Sequence, residues 1–235
     1  MVEFKDIHKK FGKNEVLSGI NLKIQKGKTT AILGPNGSGK TTLIKILLGM
    51  NHANSGEILV NNTSIRNNWS YRKNMDYLPQ IANFPGNIKV KEIIAMMKDL
   101  RQQTARDKEL TAYFELKPYL NTNLSHLSGG YKQKVNLVLS LMFDSPFIIL
   151  DEPTSGLDPL SLIKLKELLK KEQEQGKTIL ITSHIMSFVE EISDHISFIL
   201  DGKVYFDGSI GELKSTTGKA NFEYAIANLL KTNHA

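Results

Sequence analysis

Gly34-Pro35-Asn36-Gly37-Ser38-Gly39-Lys40-Thr41-Thr42 fits the phosphate-binding pattern G-x-x-x-x-G-K-[ST]. The apolar run Ala31-Ile32-Leu33 precedes it, and Leu43-Ile44-Lys45-Ile46-Leu47-Leu48 follows at helical spacing. The loop therefore joins a buried strand to a helix N-terminus, the setting this motif requires. Gly34, Gly37 and Gly39 let backbone N–H groups curl around phosphate oxygens, with Asn36, Ser38 and Thr42 completing the turn. The helix dipole adds positive field there. Lys40 is placed to reach the β- and γ-phosphates of a nucleoside triphosphate, and Thr41 to set its hydroxyl on Mg²⁺.

Moving outward, the strands alternate with helical patterns. Thr29 to Leu33, Phe147-Ile148-Ile149-Leu150 and Thr178-Ile179-Leu180-Ile181-Thr182 are apolar runs that suit parallel strands covered on both faces. Val2 to Phe4, Leu22 to Ile24 and Gly56 to Val60 read as strands of an N-terminal antiparallel sheet. Met75 to Leu78 is a short strand that stops at Pro79, and Ile196 to Leu200 with Val204 to Phe206 reads as a hairpin around Asp201-Gly202. From about Val90 to Leu116 the spacing is helical, with Val90, Ile93, Ile94, Met97 and Leu100 on one face. The expected fold is α/β: a P-loop NTPase (RecA-like) core with an N-terminal antiparallel β subdomain and an inserted α-helical subdomain. The expected layout is one domain over 1–235, with the core at 1–79 and 146–220, the helical part at 80–145 and an amphipathic C-terminal helix at 221–235.

Composition sets outer bounds. The chain has 235 residues, 40% of them hydrophobic and 23% charged, as in ordinary globular proteins. No apolar run approaches the roughly 20 residues of a membrane span, and the charged start Met1 to Asp6 does not read as a signal peptide. There is no cysteine, which excludes disulfides and thiolate metal sites. These features lead us to expect a cytoplasmic protein. The net charge of +6 raises nucleic-acid binding, but the excess is mostly scattered Lys, and the arginines are only Arg66, Arg72, Arg101 and Arg106. Planar recognition of bases and phosphates favours clustered Arg, so nucleic acid is not the expected partner.

Two further features narrow the chemistry. Phe147 to Leu150 delivers Asp151 and Glu152, two carboxylates at the end of a buried strand. Beside a phosphate loop, Asp151 suits the Mg²⁺ water shell and Glu152 can polarise an attacking water. Leu127-Ser128-Gly129-Gly130-Tyr131 precedes a helix expected from Lys132 to Phe143. Ser128 can cap that helix, and the glycines leave N–H groups bare for a second anion. Two phosphate-facing loops in one chain point to two chains sharing nucleotides head to tail.

With these residues in order, the chain resembles the ATP-binding cassette ATPases, the motor subunits of ABC transporters. The resemblance rests on Gly34 to Thr42, Gln80 after Leu78-Pro79, Leu127-Ser128-Gly129-Gly130, Leu150-Asp151-Glu152-Pro153, Ser155-Gly156-Leu157-Asp158, and His184 in Thr182-Ser183-His184. It implies that Gln80 completes Mg²⁺ coordination with Thr41 and Asp151 and senses a membrane partner. It also implies that Leu127, Ser128, Gly129 and Gly130 bind the γ-phosphate of the opposite subunit, that Asp158 joins the two sites, and that His184 contacts the γ-phosphate. Phe11, in Lys10-Phe11-Gly12, matches the adenine-stacking aromatic. Tyr131 and the run Lys132-Gln133-Lys134 depart from the commonest signature and resemble a prokaryotic export branch. Leu78-Pro79-Gln80 with Phe84-Pro85 is faintly similar to the copper-linked ATPases of nitrous-oxide-reductase maturation. The implied function is an ATP-hydrolysing, Mg²⁺-dependent subunit that dimerises with ATP bound and drives a separate membrane permease from the cytoplasmic face. The competing reading is a soluble cassette ATPase acting on ribosomes or nucleic acid, which usually carries two cassettes or a long coiled-coil insertion. Phe84, Pro85, Ile93, Ile94, Met96 and Met97 carry more apolar surface than one insertion helix needs, and part of this segment is expected to line an exposed groove for a permease helix. Phe222, Ala225, Ile226, Leu229 and Leu230 form one apolar helix face expected to pack back on the cassette.

Overall fold

A computed structural model of the chain describes residues 1–232. Strands β1 (Val2–Phe11) and β2 (Asn14–Ile24) form a hairpin. Strand β3 (Thr29–Leu33) runs through the phosphate loop into α1 (Lys40–Leu47). Then come β4 (Ser55–Val60), β5 (Thr63–Ser64) and β6 (Met75–Leu78). Helices α2 (Val90–Arg101), α3 (Asp107–Tyr113) and α4 (Gly129–Leu141) follow before β7 (Phe147–Asp151). The chain closes with α5 (Pro159–Glu174), β8 (Thr178–Thr182), α6 (Met186–Ile192), β9 (His195–Leu200), β10 (Lys203–Gly208), α7 (Ile210–Thr217) and α8 (Phe222–Thr232).

The strands make two sheets. One is antiparallel in the order β2-β1-β4-β5; the other has the order β10-β9-β3-β8-β7-β6 and is parallel except for β10. Alternation along the parallel strands sends neighbours to opposite faces. Ile32, Ile149, Leu180 and Ile199 join the core shared with α1 and the antiparallel sheet. Ala31, Leu33, Ile148, Leu150, Ile179 and Ile181 face the other core, with α4, α5, α6 and α8. Burial on both faces is why these strands read as unbroken apolar runs. Being parallel, β3, β8, β7 and β6 end on one edge, where ligands bind in open α/β sheets.

Several elements differ from the sequence reading for identifiable reasons. The helical pattern from Val90 to Leu116 is two helices, because Gln102 adopts φ 49° and ends α2. Its periodicity persists beyond the break because Leu110 and Phe114 turn back to the same core. Helix α4 starts at Gly129, ahead of Lys132, because Ser128 caps it by accepting from the Tyr131 N–H. Strand β1 continues past Phe4, but Asp6 sits at φ 50° and the pairing slips between Phe4 and Ile7. Such a bulge shifts the inward–outward phase, so simple alternation stops there.

Helix α8 lays Phe222, Ala225 and Ile226 against α6 and α7, all three buried, with Leu229 and Leu230 partly covered. Residues 233–235 of the expected C-terminal helix lie outside the described residues. Truncation after Gly218 strips this cover from the core. Losing one buried Phe alone costs about 3–5 kcal/mol, so the melting temperature should fall by roughly 10 °C. Thermal unfolding followed by circular dichroism checks this. ATP-dependent dimerisation should be less affected, and the reverse ranking would contradict the packing role.

Candidate nucleotide site

The phosphate loop leaves β3 through contacts that only glycine permits. A Cβ on Gly34 would come within 2.1 Å of the Ile199 carbonyl oxygen. One on Gly39, at φ 104°, would lie 2.5 Å from Leu17 Cδ2 and 2.9 Å from the Val16 carbonyl oxygen. The loop is thus pressed onto its own sheet and onto β2, and the Ser38 N–H donates to the Pro35 carbonyl within it (3.2 Å). Lys40 is buried, and its Nζ donates to the carbonyls of Gly34 (2.8 Å) and Pro35 (2.9 Å). Burial lowers its pKa, and the charges of Glu152 and Asp151 oppose that shift. Ser38 is buried, with a hydroxyl that has no hydrogen-bond partner among the described residues.

A cleft of about 480 Å³ opens on this loop, lined by Phe11, Asn14, Val16, Asn36, Gly37, Gly39, Lys40, Thr41, Thr42, Gln80, Asp151 and Glu152. Its size does not distinguish it, since clefts of about 460 to 540 Å³ occur elsewhere. Its lining does, because it brings the phosphate-loop residues, Gln80 and both carboxylates together, which none of those other clefts does. Phe11 is 48% exposed at the rim, with Lys9 Nζ 4.7 Å from its ring centroid. An aromatic left this bare contributes little to a core and offers a stacking face.

The carboxylates depend on a local departure from strand geometry. Neighbouring side chains on an extended strand point to opposite faces. Asp151 and Glu152 nevertheless line the same cleft, because Glu152 leaves the strand at φ 53°. A left-handed conformation for a non-glycine residue costs on the order of 1–3 kcal/mol. Thr182, at the end of β8, helps to hold it. Its hydroxyl donates to Asp151 Oδ1 (2.5 Å) and accepts from the Glu152 N–H (3.0 Å), and its carbonyl accepts from the same N–H (3.1 Å). The other Asp151 oxygen, Oδ2, is buried with no hydrogen-bond partner among the described residues. The phenol of Tyr77 is pushed up to about 12, first by burial and then by the Asp151 charge. Glu152 is buried, and His184 Nδ1 lies 2.7 Å from its Oε2, while the imidazole is 68% exposed.

The remaining residues gather elsewhere. Gln80 also borders a second cleft of about 540 Å³, lined by Ile81, Ala82, Asn83, Phe84, Gly86, Gly129, Lys132, Gln133, Ser155 and Gly156 among others. Leu127 is buried in the helical core, and Ser128 caps α4. Neither Ser128 nor Gly130 reaches the cleft holding Lys40 in the same chain. Asp158 caps α5, accepting from the Ser161 N–H (2.8 Å) and hydroxyl (2.8 Å), and pairs with Lys134 (3.0 Å). Those partners, the Ser161 N–H first, hold its carboxyl far below the usual range. Of the expected groove residues, Ile93 and Ile94 are instead buried, because they share with Val90 the face of α2 packed on the core. Met96 is 48% exposed, and Ile81, which the sequence reading passed over, is 73% exposed beside Gln80. Thr182 also escaped notice; its one signal is a polar residue closing an apolar strand next to the quoted His184. His195 contacts Asp207 Oδ1 at 2.9 Å, a structural role.

A family model described as ABC transporter matches residues 17–155. The lantibiotic transport ATP-binding protein SrtF of Streptococcus pyogenes is 32% identical across 97% of this chain and 96% of its own length. The Nod factor export ATP-binding protein I of Burkholderia lata is 32% identical across 88% of this chain and 70% of its own. A solved dimeric structure of the ATP-binding cassette MJ0796, in a post-hydrolysis state bound to ADP and Pi, superposes with a TM-score of 0.78. It is 25% identical over 89% of this chain and 98% of that one. With a phosphate loop, paired carboxylates and an aromatic rim on one cleft, this chain belongs to the ABC transporter family, as an ATP-binding subunit that hydrolyses ATP.

Proposed function

We propose that the chain is the motor of an exporter: ATP closes a dimer of two copies, hydrolysis reopens it, and a separate membrane permease converts the cycle into transport. The observation that carries the hydrolytic part is the shared cleft of Lys40, Thr41, Gln80, Asp151 and Glu152. Phe11 stacks on adenine, Gly34 to Thr42 wrap the phosphates, and Lys40 leaves its two carbonyls for the β- and γ-phosphates. Glu152 is the general base for the attacking water. His184, bonded to that carboxylate, positions it and contacts the γ-phosphate.

The residues present fit Mg²⁺. Asp151 Oδ2 is a buried oxygen without a partner among the described residues, and the Thr41 hydroxyl and the Gln80 amide share its cleft. One carboxylate with neutral oxygens is the donor set Mg²⁺ takes beside phosphates and water. When bound, the ion would neutralise charge developing on the phosphates.

Ser128 and Gly130 lie outside the cleft of their own chain, which supports their serving a nucleotide held by a second copy. The cassette relative solved as a dimer supports the same arrangement. No described helix is long and apolar enough to cross a membrane. In this reading the permease is a separate polypeptide and this chain docks on its cytoplasmic face. The cleft beside Gln80, with exposed Ile81 and partly covered Phe84, receives a permease helix. Relatives named for lantibiotic transport and Nod factor export favour this over an action on ribosomes or nucleic acid.

Steady-state ATPase measurements on the purified chain test the proposal. Turnover should require Mg²⁺ and vanish with EDTA. Phe11→Ala should weaken ATP binding by about 1–3 kcal/mol, the value of one base stack, and Phe11→Tyr should restore it. A fluorescent ATP analogue that binds Phe11→Ala like wild type would remove Phe11 from the site.

A further inference from the structure

The loop after Glu152 is fastened along one face of α4. Gly130, Gln133 and Lys134 stand at i, i+3 and i+4, so they point the same way from that helix. Gly130 packs so closely on the Gly156 carbonyl that a Cβ would lie 2.9 Å from its oxygen. Gln133 Nε2 donates to the Pro153 carbonyl at 3.0 Å, in a buried bond. Lys134 Nζ lies 3.0 Å from Asp158 Oδ2, with a side chain only 9% exposed. An ammonium at that depth needs an anionic partner, and Asp158 supplies it, with the Tyr131 ring 5.1 Å from the same nitrogen. The loop is thus tied at 153, 156 and 158, and at its other end the Glu152 N–H is held by Thr182.

Resting on the functional reading above, we propose that Gln133 and Lys134 are positioning residues that make the signature turn and the 152–158 loop one rigid unit. In a head-to-tail dimer, Ser128 and Gly130 touch one nucleotide while Glu152 of the same chain serves the other. The stitch therefore passes occupancy of one site to the hydrolytic carboxylate of its neighbour. Neither side chain lines the nucleotide cleft of its own chain, so ATP affinity is not their target.

The test is steady-state ATPase kinetics on the full chain, beside binding of a fluorescent ATP analogue and thermal melting. Lys134→Met should lower kcat by roughly tenfold or more, as small misplacements of reacting groups do, with analogue affinity unchanged. Lys134→Arg should recover most of the rate. In an Asp158→Asn background, Lys134→Met should add no further loss. Gln133→Leu, which keeps the helix charge intact, should lower kcat in the same direction and serves if Lys134→Met does not fold. The proposal is overturned if Lys134→Met matches an active wild type. It is also overturned if kcat, affinity and melting temperature fall together, or if the loss repeats in full on Asp158→Asn. A wild-type chain without ATPase activity would instead overturn the functional reading itself.

Discussion

Glu152→Gln should abolish turnover and leave ATP binding intact. The amide keeps the size of the carboxylate, so the buried pocket is filled and the left-handed backbone is undisturbed. It loses the charge and basicity that would draw a proton from water. General-base catalysis contributes about 10²–10⁴-fold, and kcat should fall by that much, measured as phosphate release. With the chemical step blocked, ATP remains bound, and the variant should run as a dimer on size exclusion when ATP and Mg²⁺ are supplied. Hydrolysis at the wild-type rate would show that another group is the base.

Lys40→Ala acts at the other end of the reaction, on affinity. The Lys40 ammonium is the cation among the residues that line the cleft, and its present acceptors are two neutral carbonyls that phosphate oxygens can replace. Hydrogen bonds to charged groups contribute about 1.5–3 kcal/mol each. Losing one or two of them should weaken binding by about 3 kcal/mol, more than a hundredfold. A fluorescent ATP analogue titrated against both proteins reads this directly, and equal affinity would contradict the role. The melting temperature should move little, because Lys40 itself lines the open cleft, where water can take the place of its ammonium.

The parts of the fold legible in the sequence were those governed by local rules. The parallel strands showed themselves because burial on both faces leaves no polar interruption, as in Phe147 to Leu150 and Ile179 to Ile181. The phosphate loop was legible because glycine spacing encodes a backbone shape. What stayed hidden depended on partners remote in sequence. Strand β1 looked short because the irregularity at Asp6 reverses its phase. Ile93 and Ile94 looked like groove residues because periodicity shows that a helix has an apolar face without showing what covers it. Thr182 gained its place only when β8 came to lie beside β7, which composition does not foretell. Helix α7 did carry a readable signal: Ser209 and Glu212 form a capping box, the pattern S-x-x-E.

The positive φ at Glu152 places activity and robustness in opposition at a single backbone torsion. A residue content in that conformation, glycine or asparagine, would relax the backbone and lose the carboxylate. Heat-resistance screening blind to turnover would therefore erode this position early, whereas screening for transport would preserve the strain. Consensus or computational stabilisation of this chain should accordingly hold position 152 fixed, together with Thr182, whose bond to its N–H keeps the turn in place.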